Sequence, residues 1–384
     1  MNRKILTVCA LFLALCLSVF AQYTDTHKNF LLGSIYDKVT IIESASRSDT
    51  DLLAISLRFC IDSSPVLSNS KELNSLLLKT LSAFGDEIPQ SFSPLFLEVY
   101  KTFPSREVYI SLFPVMARSS VTDVSLLRDI YAIISEESHK HFSQRSNELL
   151  TAAVKAAGSA SDSLLFTNLF PCLFLDLDNE VTSVIIQILS ESIQRYKADC
   201  MKIIAGGSIG EQRAVFNLVV KSDKTDDFFK AEIAESILSS TITTSGDAQN
   251  SRQVIDLQLD SMRVIRSTKW TRSSLLIAKY FTAAQEQYKQ SLITRDEFLE
   301  VIDCLTDLAT SETGKALTEY LGILNDNTDK TGTYDEVLLL QVIRSIGKLG
   351  EKSAFDNLLY VILYKGYSET VINASKEALA KLNW

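Results

Sequence analysis

Apolar residues recur at helical spacing along almost the whole chain, and this periodicity constrains the fold more than any other feature of the sequence. Three successive segments near the end of the chain show it clearly: Leu339, Val342, Ile343, Ile346; Phe355, Leu358, Leu359, Ile362; and Val371, Ala374, Ala378, Leu382. Spacings of three and four residues put each set on one face of an α-helix. Alternating stretches rich in Val and Thr, which would indicate strands, are scarce. The sequence therefore predicts an all-α chain of short amphipathic helices.

The predicted helices are separated by residues that start or end helices. In a capping box, a hydroxyl at the helix start and a Glu three residues later satisfy backbone amides reciprocally. The sequence contains three such patterns: Thr294 with Glu297, Ser208 with Glu211, and Thr333 with Glu336. Gly85, Gly158 and Gly350 are predicted to end helices, because glycine adopts the left-handed conformation of a helix C-cap at low cost.

Two successive helices near the end of the chain match each other at an offset of 38 residues. In the first helix the matched pairs are Val301–Leu339, Ile302–Leu340, Leu305–Ile343, Leu308–Ile346 and Ala309–Gly347. In the second they are Ala316–Ala354, Leu317–Phe355, Tyr320–Leu358, Leu321–Leu359 and Leu324–Ile362. Similar helix endings occur at Gly85, Gly158 and Gly347, at separations close to multiples of about 37 residues. The sequence therefore predicts a repeat of this length, with a small residue where two helices cross closely.

The segment RSIGKLGEKSAFDNLL, which begins at Arg344, resembles a HEAT-like (armadillo-type) helical repeat. The features that carry the resemblance are a first helix ending in small residues, a Gly-containing turn over 347–350, and a second helix with Ala354 and Leu358. The resemblance implies an α-solenoid, or alpha-alpha superhelix, of stacked helix hairpins with HEAT-like repeats of about 37–38 residues.

The resemblance is clearest over 295–384 and degenerate over 22–205. Two stretches, 206–210 (GGSIG) and 241–251 (TITTSGDAQNS), break the period. Because the hairpins of a solenoid contact only their neighbours, we expect a single elongated domain over 22–384.

The first 21 residues have the pattern of a signal peptide. Arg3 and Lys4 precede an apolar run of 15 residues over 5–19, and Ala21 supplies a small residue before a cut ahead of Gln22. We expect the mature chain to carry a charge of −11, from 36 basic and 47 acidic residues, and no transmembrane segment. An uncleaved N-terminal anchor is one alternative. Acylation at Cys16, which follows a sequence loosely similar to a lipobox, is another.

Four cysteines remain after the leader: Cys60, Cys172, Cys200 and Cys304. Their spacing fits no zinc module, and each lies in an apolar, helix-like context, so we predict buried free thiols. A Cys172–Cys200 disulfide is the alternative in an oxidising compartment. The low cysteine content favours a bacterial exported protein. We expect it in the periplasm or cell envelope, and secretion from the cell is the alternative.

Three polar motifs are candidate ligand sites. Glu136, His139 and His141 resemble a metal-binding turn that lacks its second half. The glycines of 206–210 could present amides to an anion, but no phosphate-loop Lys follows them. Residues 325–329 resemble a calcium-loop fragment whose Gly and Glu are out of register. We interpret these motifs as a polar helix end, an inter-helix turn and a solvated loop between repeats, and predict no metal and no cofactor.

The chain carries 38 Lys+Arg against 47 Asp+Glu, a charge of −9, and this balance excludes a generic nucleic-acid-binding protein. Motifs of nucleophilic, zinc-peptidase or dinucleotide-dependent catalysis are absent from the sequence. We therefore expect an exported non-catalytic α-solenoid that acts as a protein-binding scaffold or assembly factor. Its predicted binding residues lie on a ridge of second helices: Asp356, Asn357, Tyr360 and Tyr364. The alternatives are a lipid-anchored envelope assembly factor acylated at Cys16, and an enzyme with a carboxylate-based site on an α-helical array.

Overall fold

The structure, a computed structural model, describes residues 25–46, 49–67, 70–119, 123–160, 162–242 and 251–382. The predicted leader, its cleavage site at Ala21 and Gln22, and Cys16 lie outside these residues, as does Trp384. Every regular element in the described residues is helical, which confirms the all-α prediction. The chain divides into two compact units, Met1–Leu189 and Ser190–Trp384. The expectation of a single elongated domain over 22–384 stays a prediction.

The first unit consists of helix hairpins stacked side by side. Helices α2, α4, α6 and α8 each pack against the next member of that series, and α3 packs against both α4 and α5. The helices are α1 Asp25–Leu32, α2 Ile35–Ser44, α3 Thr50–Leu67, α4 Lys71–Ala83, α5 Ser93–Thr102, α6 Arg106–Ser119, α7 Val124–His139, α8 Asn147–Ala160, α9 Leu165–Leu169 and α10 Asn179–Ser192.

The second unit has two rows of helices. Its helices are α11 Lys197–Gly206, α12 Ile209–Lys221, α13 Asp227–Ile242, α14 Arg252–Ser267, α15 Ser274–Lys289, α16 Arg295–Leu308, α17 Ser311–Thr331, α18 Glu336–Leu349, α19 Phe355–Leu363 and α20 Glu369–Ala380. Each helix packs against a neighbour in the chain and against the next helix but one. The odd row therefore comprises α11, α13, α15, α17 and α19, and the even row comprises α12, α14, α16, α18 and α20. This packing confirms the solenoid-like arrangement within the unit.

Every helix of the even row begins at a side chain that caps it. The capping residues are Ser208, Ser251, Thr294, Asp335 and Ser368, and each accepts a hydrogen bond from the backbone amide three residues later. The capping boxes predicted at Ser208 and Thr294 are confirmed. The box predicted at Thr333 is wrong. Helix α18 begins at Glu336, so Asp335, two residues after Thr333, is its N-cap.

The caps show that α16 and α18 are equivalent at 41 residues rather than 38. Their N-caps run from 294 to 335, and their left-handed C-caps run from Ala309 to Gly350. At this offset buried residues match throughout: Phe298 with Leu339, Val301 with Val342, Ile302 with Ile343, and Leu305 with Ile346. The register of 38 is therefore wrong by three residues. Because three residues is close to one helical turn, an amphipathic face nearly matches itself at both offsets.

The glycines predicted to end helices behave differently from one another. Gly350 is the left-handed C-cap of α18, with φ of 68°, as predicted. Gly158 lies inside α8, so that prediction is wrong. At Gly85 the helix end is as predicted, since α4 ends at Ala83, but Gly85 does not adopt the left-handed conformation. Gly347 permits a close crossing: a Cβ there would lie 2.9 Å from the Cα of Ala378 on α20. The close neighbour is thus the next helix of the even row, not the hairpin partner.

Two stretches interpreted as irregular have ordinary places in the fold. Residues 206–210 span the short turn from α11 to α12, which consists of residues 207–208, in agreement with the inter-helix interpretation. Residues 325–329 are helical and belong to α17, so the prediction of a loop between repeats is wrong there. Within this polar segment Asn325 is buried, and its side-chain amide donates to the backbone carbonyl of Asn357 on α19. This bond satisfies a buried polar group inside the helix.

Candidate functional site

The four predicted binding residues lie at α19, but they do not have one common environment. Asp356 is exposed, whereas Asn357 is half-buried between α17 and α19. The Asn357 side chain donates to the backbone carbonyl of Thr318 over 3.0 Å, and its own carbonyl accepts from Asn325 over 3.1 Å. Asn357 therefore fixes the packing of two odd-row helices, and its amide is already engaged.

Tyr360 and Tyr364 belong to a cluster of four tyrosines with Tyr334 and Tyr367, here called the tyrosine cluster. The rings of Tyr360 and Tyr364 stack with centroids 5.6 Å apart, and Tyr367 meets Tyr364 and Tyr334 edge-on at 5.1 and 5.0 Å. The Tyr367 hydroxyl lies 2.9 Å from Oδ1 of Asn325, to which it donates. These contacts restrict the motion of the rings. A partner that bound to them would therefore cause little further loss of side-chain conformational entropy.

Two members of the tyrosine cluster, Tyr360 and Tyr367, have raised pKa values, and in both cases burial is the largest cause. Partial burial, together with the nearby carboxylate of Asp329, raises the pKa of Tyr360 above that of an ordinary tyrosine. An open pocket of about 540 Å³ lies beside Tyr334, between the end of α17 and the start of α18. This end of the unit thus presents phenol rings beside polar side chains.

Exposed large apolar side chains are distributed unequally over the two rows. In the described part of the second unit, the odd row carries five of them: Phe228, Leu275, Ile323, Leu359 and Leu363. In the same part of the chain, the even row carries only Val337, in the first turn of α18. Scattered exposed apolar residues are ordinary, but five of these six lie on the odd row, which distinguishes it from the even row.

The even row carries a ladder of ion pairs between successive helices. Arg263 on α14 lies 2.8 Å from Glu300 on α16, and Arg266 lies 2.7 Å from Asp307. Asp307 also accepts from Lys348 on α18 over 3.0 Å. Further rungs join Arg213 to Asp260 and Arg252 to Glu297. Positive and negative groups are matched between helices, so this face is largely neutralised by its own side chains.

The ion-pair ladder changes the acidity of its carboxylates. The hydrogen bond from Arg252 lowers the pKa of Glu297. Burial by itself would raise the pKa of Asp307, but Arg266 and Lys348 hold it below the usual value of an aspartate. Both groups therefore remain ionised and paired at neutral pH, which is the opposite of a carboxylate prepared to act as a general acid.

The histidine motif forms part of a helix end. Glu136 lies 2.7 Å from Lys140, and Nδ1 of His139 lies 2.7 Å from the carbonyl oxygen of Ser135. His141 is exposed and lies beside Ser143. In the described residues no group of three or more His, Cys, Asp or Glu side chains could hold a metal ion.

Next to this motif, Arg145 makes an arrangement that the sequence did not indicate. Its guanidinium donates to the carbonyls of Glu137, Ser138 and Lys140 at the end of α7, over 3.2, 3.1 and 2.8 Å. It also donates to the carbonyl of Asp176 over 2.6 Å. A planar fork with five donors suits this role, and it satisfies the helix-end carbonyls that lack intrahelical partners.

All four cysteines after the leader are free and buried, as predicted, and the alternative Cys172–Cys200 disulfide does not form. Burial raises the pKa of the Cys60, Cys200 and Cys304 thiols to about 12. Burial likewise raises the pKa of Cys172. Thiols in this state are poor nucleophiles and poor metal ligands.

A second aromatic surface, which the sequence analysis missed, lies at the turn between α14 and α15. Trp270 meets the exposed Phe228 of α13 edge-on, with ring centroids 4.9 Å apart. The Arg272 guanidinium lies 4.9 Å from the Trp270 ring, and Lys197 lies 5.1 Å from that of Phe228. Phe228 and Trp270 are separated by 42 positions, so no local sequence pattern joins them. The absence of Asp and Glu from residues 261–285, around Trp270, is the one signal in the sequence that could have indicated this surface.

Within the described residues, the helices are too short or too polar to cross a membrane. No protein-family model matches the chain, and no curated protein matches it with significant similarity. Its class is therefore defined by its own architecture: an all-α protein of stacked helix hairpins, in whose second unit one row carries most of the exposed apolar side chains and the other carries a ladder of ion pairs.

Proposed function

We propose that this protein is an exported, non-catalytic α-solenoid of HEAT-like type that acts as a protein-binding scaffold or assembly factor in the bacterial cell envelope. The export part of the proposal rests on the leader over 1–21 and its cleavage site between Ala21 and Gln22. The binding part rests on stacked hairpins, which present a long series of side chains to one partner.

The observation that carries the proposal is the difference between the two rows of the second unit. Exposed apolar side chains occur on α13, α15, α17 and α19, whereas the even row carries one such side chain, Val337, and the ion-pair ladder between its helices. Binding surfaces combine apolar or aromatic anchors with a polar rim, which matches the odd row and not the even row. The partner therefore contacts the outward face of the odd row.

The predicted binding residues take two roles in this proposal. Asp356, Tyr360 and Tyr364 contact the partner directly, since they are exposed or half-exposed on or next to α19. Asn357 is a positioning residue, because its side chain is bonded to Thr318 and its backbone to Asn325. The neighbouring Leu359 and Leu363 supply the apolar anchors.

Site-specific photo-crosslinking in the native cells tests the proposal. A photoreactive amino acid replaces Leu275 or Leu359 on the odd row, and Val337 on the even row serves as the matched exposed control. We expect the same protein to be crosslinked at both odd-row positions and not at Val337. A partner crosslinked at Val337 alone, or different proteins at each position with no common species, would refute the proposed binding face.

A further inference from the structure

The turn between α14 and α15 is a strained and tightly fixed structure. The backbone amide of Trp270 donates to the carbonyl of Ile265 over 3.0 Å. The backbone amide of Lys269 donates to the carbonyl of Arg266 over 3.2 Å. These two bonds define a Schellman motif, in which the residue before Trp270 must be left-handed. Lys269 takes that conformation, with φ of 51°, although glycine is the usual residue there. Trp270 is thereby held in one orientation at the surface.

Four side chains around this turn form one rigid assembly, here called the Trp270 platform: Lys197, Phe228, Trp270 and Arg272. The indole Nε1 donates to Glu235 over 2.9 Å, and Arg272 donates to the same carboxylate over 2.7 Å. Lys197 pairs with Glu232, which lies one helical turn before Glu235 on α13. The two carboxylates thus fix the cations against the aromatic rings, and the assembly needs no rearrangement to receive a partner.

The charges of the Trp270 platform are arranged with the cations outward. The Arg272 side chain is 57% exposed, whereas its partner Glu235 is 20% exposed. Phe228, which contacts both Trp270 and Lys197, is 52% exposed. Glu232 is likewise less exposed than Lys197, so the charges of the platform balance while its cations and aromatic rings are the more exposed groups.

The sequence around the turn has the same character. Residues 261–285 contain no Asp or Glu, in a chain that otherwise carries 47 of them. Of the five basic residues in this run, Arg263 and Arg266 are paired on the even row, whereas Lys269 and Arg272 flank Trp270 in the sequence. Asp226, close to Phe228 in sequence, is occupied as the cap of α13 and by Gln194.

We propose that the Trp270 platform binds an acidic segment of the partner protein, with a carboxylate opposite Arg272 and an apolar or aromatic side chain against Phe228. This inference rests on the proposed function and specifies the chemistry of the partner. Trp and Arg are the side chains that most often dominate protein interfaces, and opposite charges steer the encounter. The overall charge of −9 disfavours an anionic membrane or a nucleic acid, whose extended negative charge would be repelled.

The intrinsic fluorescence of Trp270 provides a direct test. The sequence has two tryptophans, so a Trp384→Phe variant of the mature chain reports on Trp270 alone. The probe is a synthetic peptide in which Glu alternates with Leu and Phe. The comparison peptides carry Gln or Lys in place of every Glu. We expect the Glu peptide to shift the Trp270 emission, the Gln peptide to bind at least about 10-fold more weakly, and the Lys peptide not to bind.

Matched variants assign the binding to the platform. Arg272→Ala, made in the Trp384→Phe background, removes the outward cation, and Arg252→Ala removes an equally exposed arginine of the ion-pair ladder, 56% against 57%. We expect about a 10-fold loss of peptide affinity for Arg272→Ala and less than about a two-fold change for Arg252→Ala. Circular dichroism verifies that each variant is folded. Raising the salt to about 0.5 M weakens binding to the unsubstituted platform, because screening acts on exposed charges.

Three results would overturn the inference: equal binding of the Glu and Gln peptides, equal losses in Arg272→Ala and Arg252→Ala, or an emission shift with anionic vesicles and none with the Glu peptide. The proposed function has a separate readout. If the partner crosslinks at Leu359 and at Leu275 while the Glu peptide leaves Trp270 unchanged, the binding face stands and the acidic-segment inference fails. If neither odd-row position crosslinks a common partner, the proposed function fails even where the Glu peptide binds.

Discussion

At the scale of single residues, Arg145 shows how one side chain replaces a conventional helix cap. Three carbonyls at the end of α7 and the carbonyl of Asp176 converge on its guanidinium. No local motif announces this arrangement, because Asp176 lies 31 positions away. Arg145 therefore holds together the end of α7 and the segment at Asp176, which are far apart in the sequence.

We expect Arg145→Ala to lower the free energy of unfolding by about 1–3 kcal/mol, since several carbonyls lose a charged donor. Arg145→Lys should recover less than half of the loss, because an ammonium group cannot reach acceptors in the fork geometry of a guanidinium. Urea denaturation followed by circular dichroism measures both effects. Arg128→Ala, at an exposed position of α7, is the control and should change stability by less than about 0.5 kcal/mol. Equal effects at positions 128 and 145 would refute the capping role.

At the scale of helices, the close crossing of α18 and α20 depends on Gly347. A Cβ at this position would lie 2.9 Å from the Cα and the Cβ of Ala378. Backbone atoms of α20 cannot move aside locally, so the helix would have to shift as a whole.

Gly347→Ala should therefore destabilise the second unit by about 1–3 kcal/mol, although alanine is the better helix former. Gly322→Ala is the matched control inside α17, where a Cβ would come no closer than 3.4 Å to the Asn357 side chain. There the helix propensity should dominate, and stability should rise by about 0.5–1 kcal/mol. Thermal denaturation of both variants tests the crossing, and a stabilising Gly347→Ala would contradict it.

The ion-pair ladder gives a second prediction at this scale. The folded-state pKa of Asp307 lies below 3.8, so its charged form stabilises the fold at neutral pH, and this contribution is lost as the pH falls below 3.8. We expect Asp307→Asn to cost about 0.5–1 kcal/mol near pH 6 and progressively less as the pH falls below 3.8. Asp326→Asn, at an exposed site of α17, is the control. Urea unfolding across this range should show no such convergence for the control; a pH-independent effect of Asp307→Asn would argue against the pairing.

The sequence predicted those helical features that depend on neighbouring residues. The capping boxes at Ser208 and Thr294 were predictable because both partners lie within one turn. The repeat register was not, because offsets of 38 and 41 differ by nearly one helical turn and preserve the same amphipathic face. The caps, rather than the apolar pattern, distinguish the two registers.

The candidate site shows the same limit. The sequence could place Asp356, Asn357, Tyr360 and Tyr364 near one helix, but the engagement of Asn357 depends on Thr318, 39 positions away. The Trp270 platform joins residues from three separate segments, and only their fold brings Lys197 next to Phe228. Contacts of this kind depend on helix packing, which local patterns in a single sequence do not reveal.

At the scale of the whole molecule, the proposal of export predicts a defined N-terminus. Intact-mass spectrometry of the protein purified from its native cells should give a chain beginning at Gln22. A mass that corresponds to a lipid-modified chain beginning at Cys16 would establish the membrane-anchored alternative. Retention of Met1 would refute cleavage of the leader.

The central claim is that the odd row, and not the even row, receives the partner. Its most direct test is the affinity of the crosslinked partner, once purified, for two matched variants of the mature chain. Leu359→Asp changes the odd row, and Val337→Asp changes the even row; both residues are exposed. We predict at least about a 10-fold loss of affinity for Leu359→Asp and less than about a two-fold change for Val337→Asp. The reverse order, or equal losses, would contradict the account.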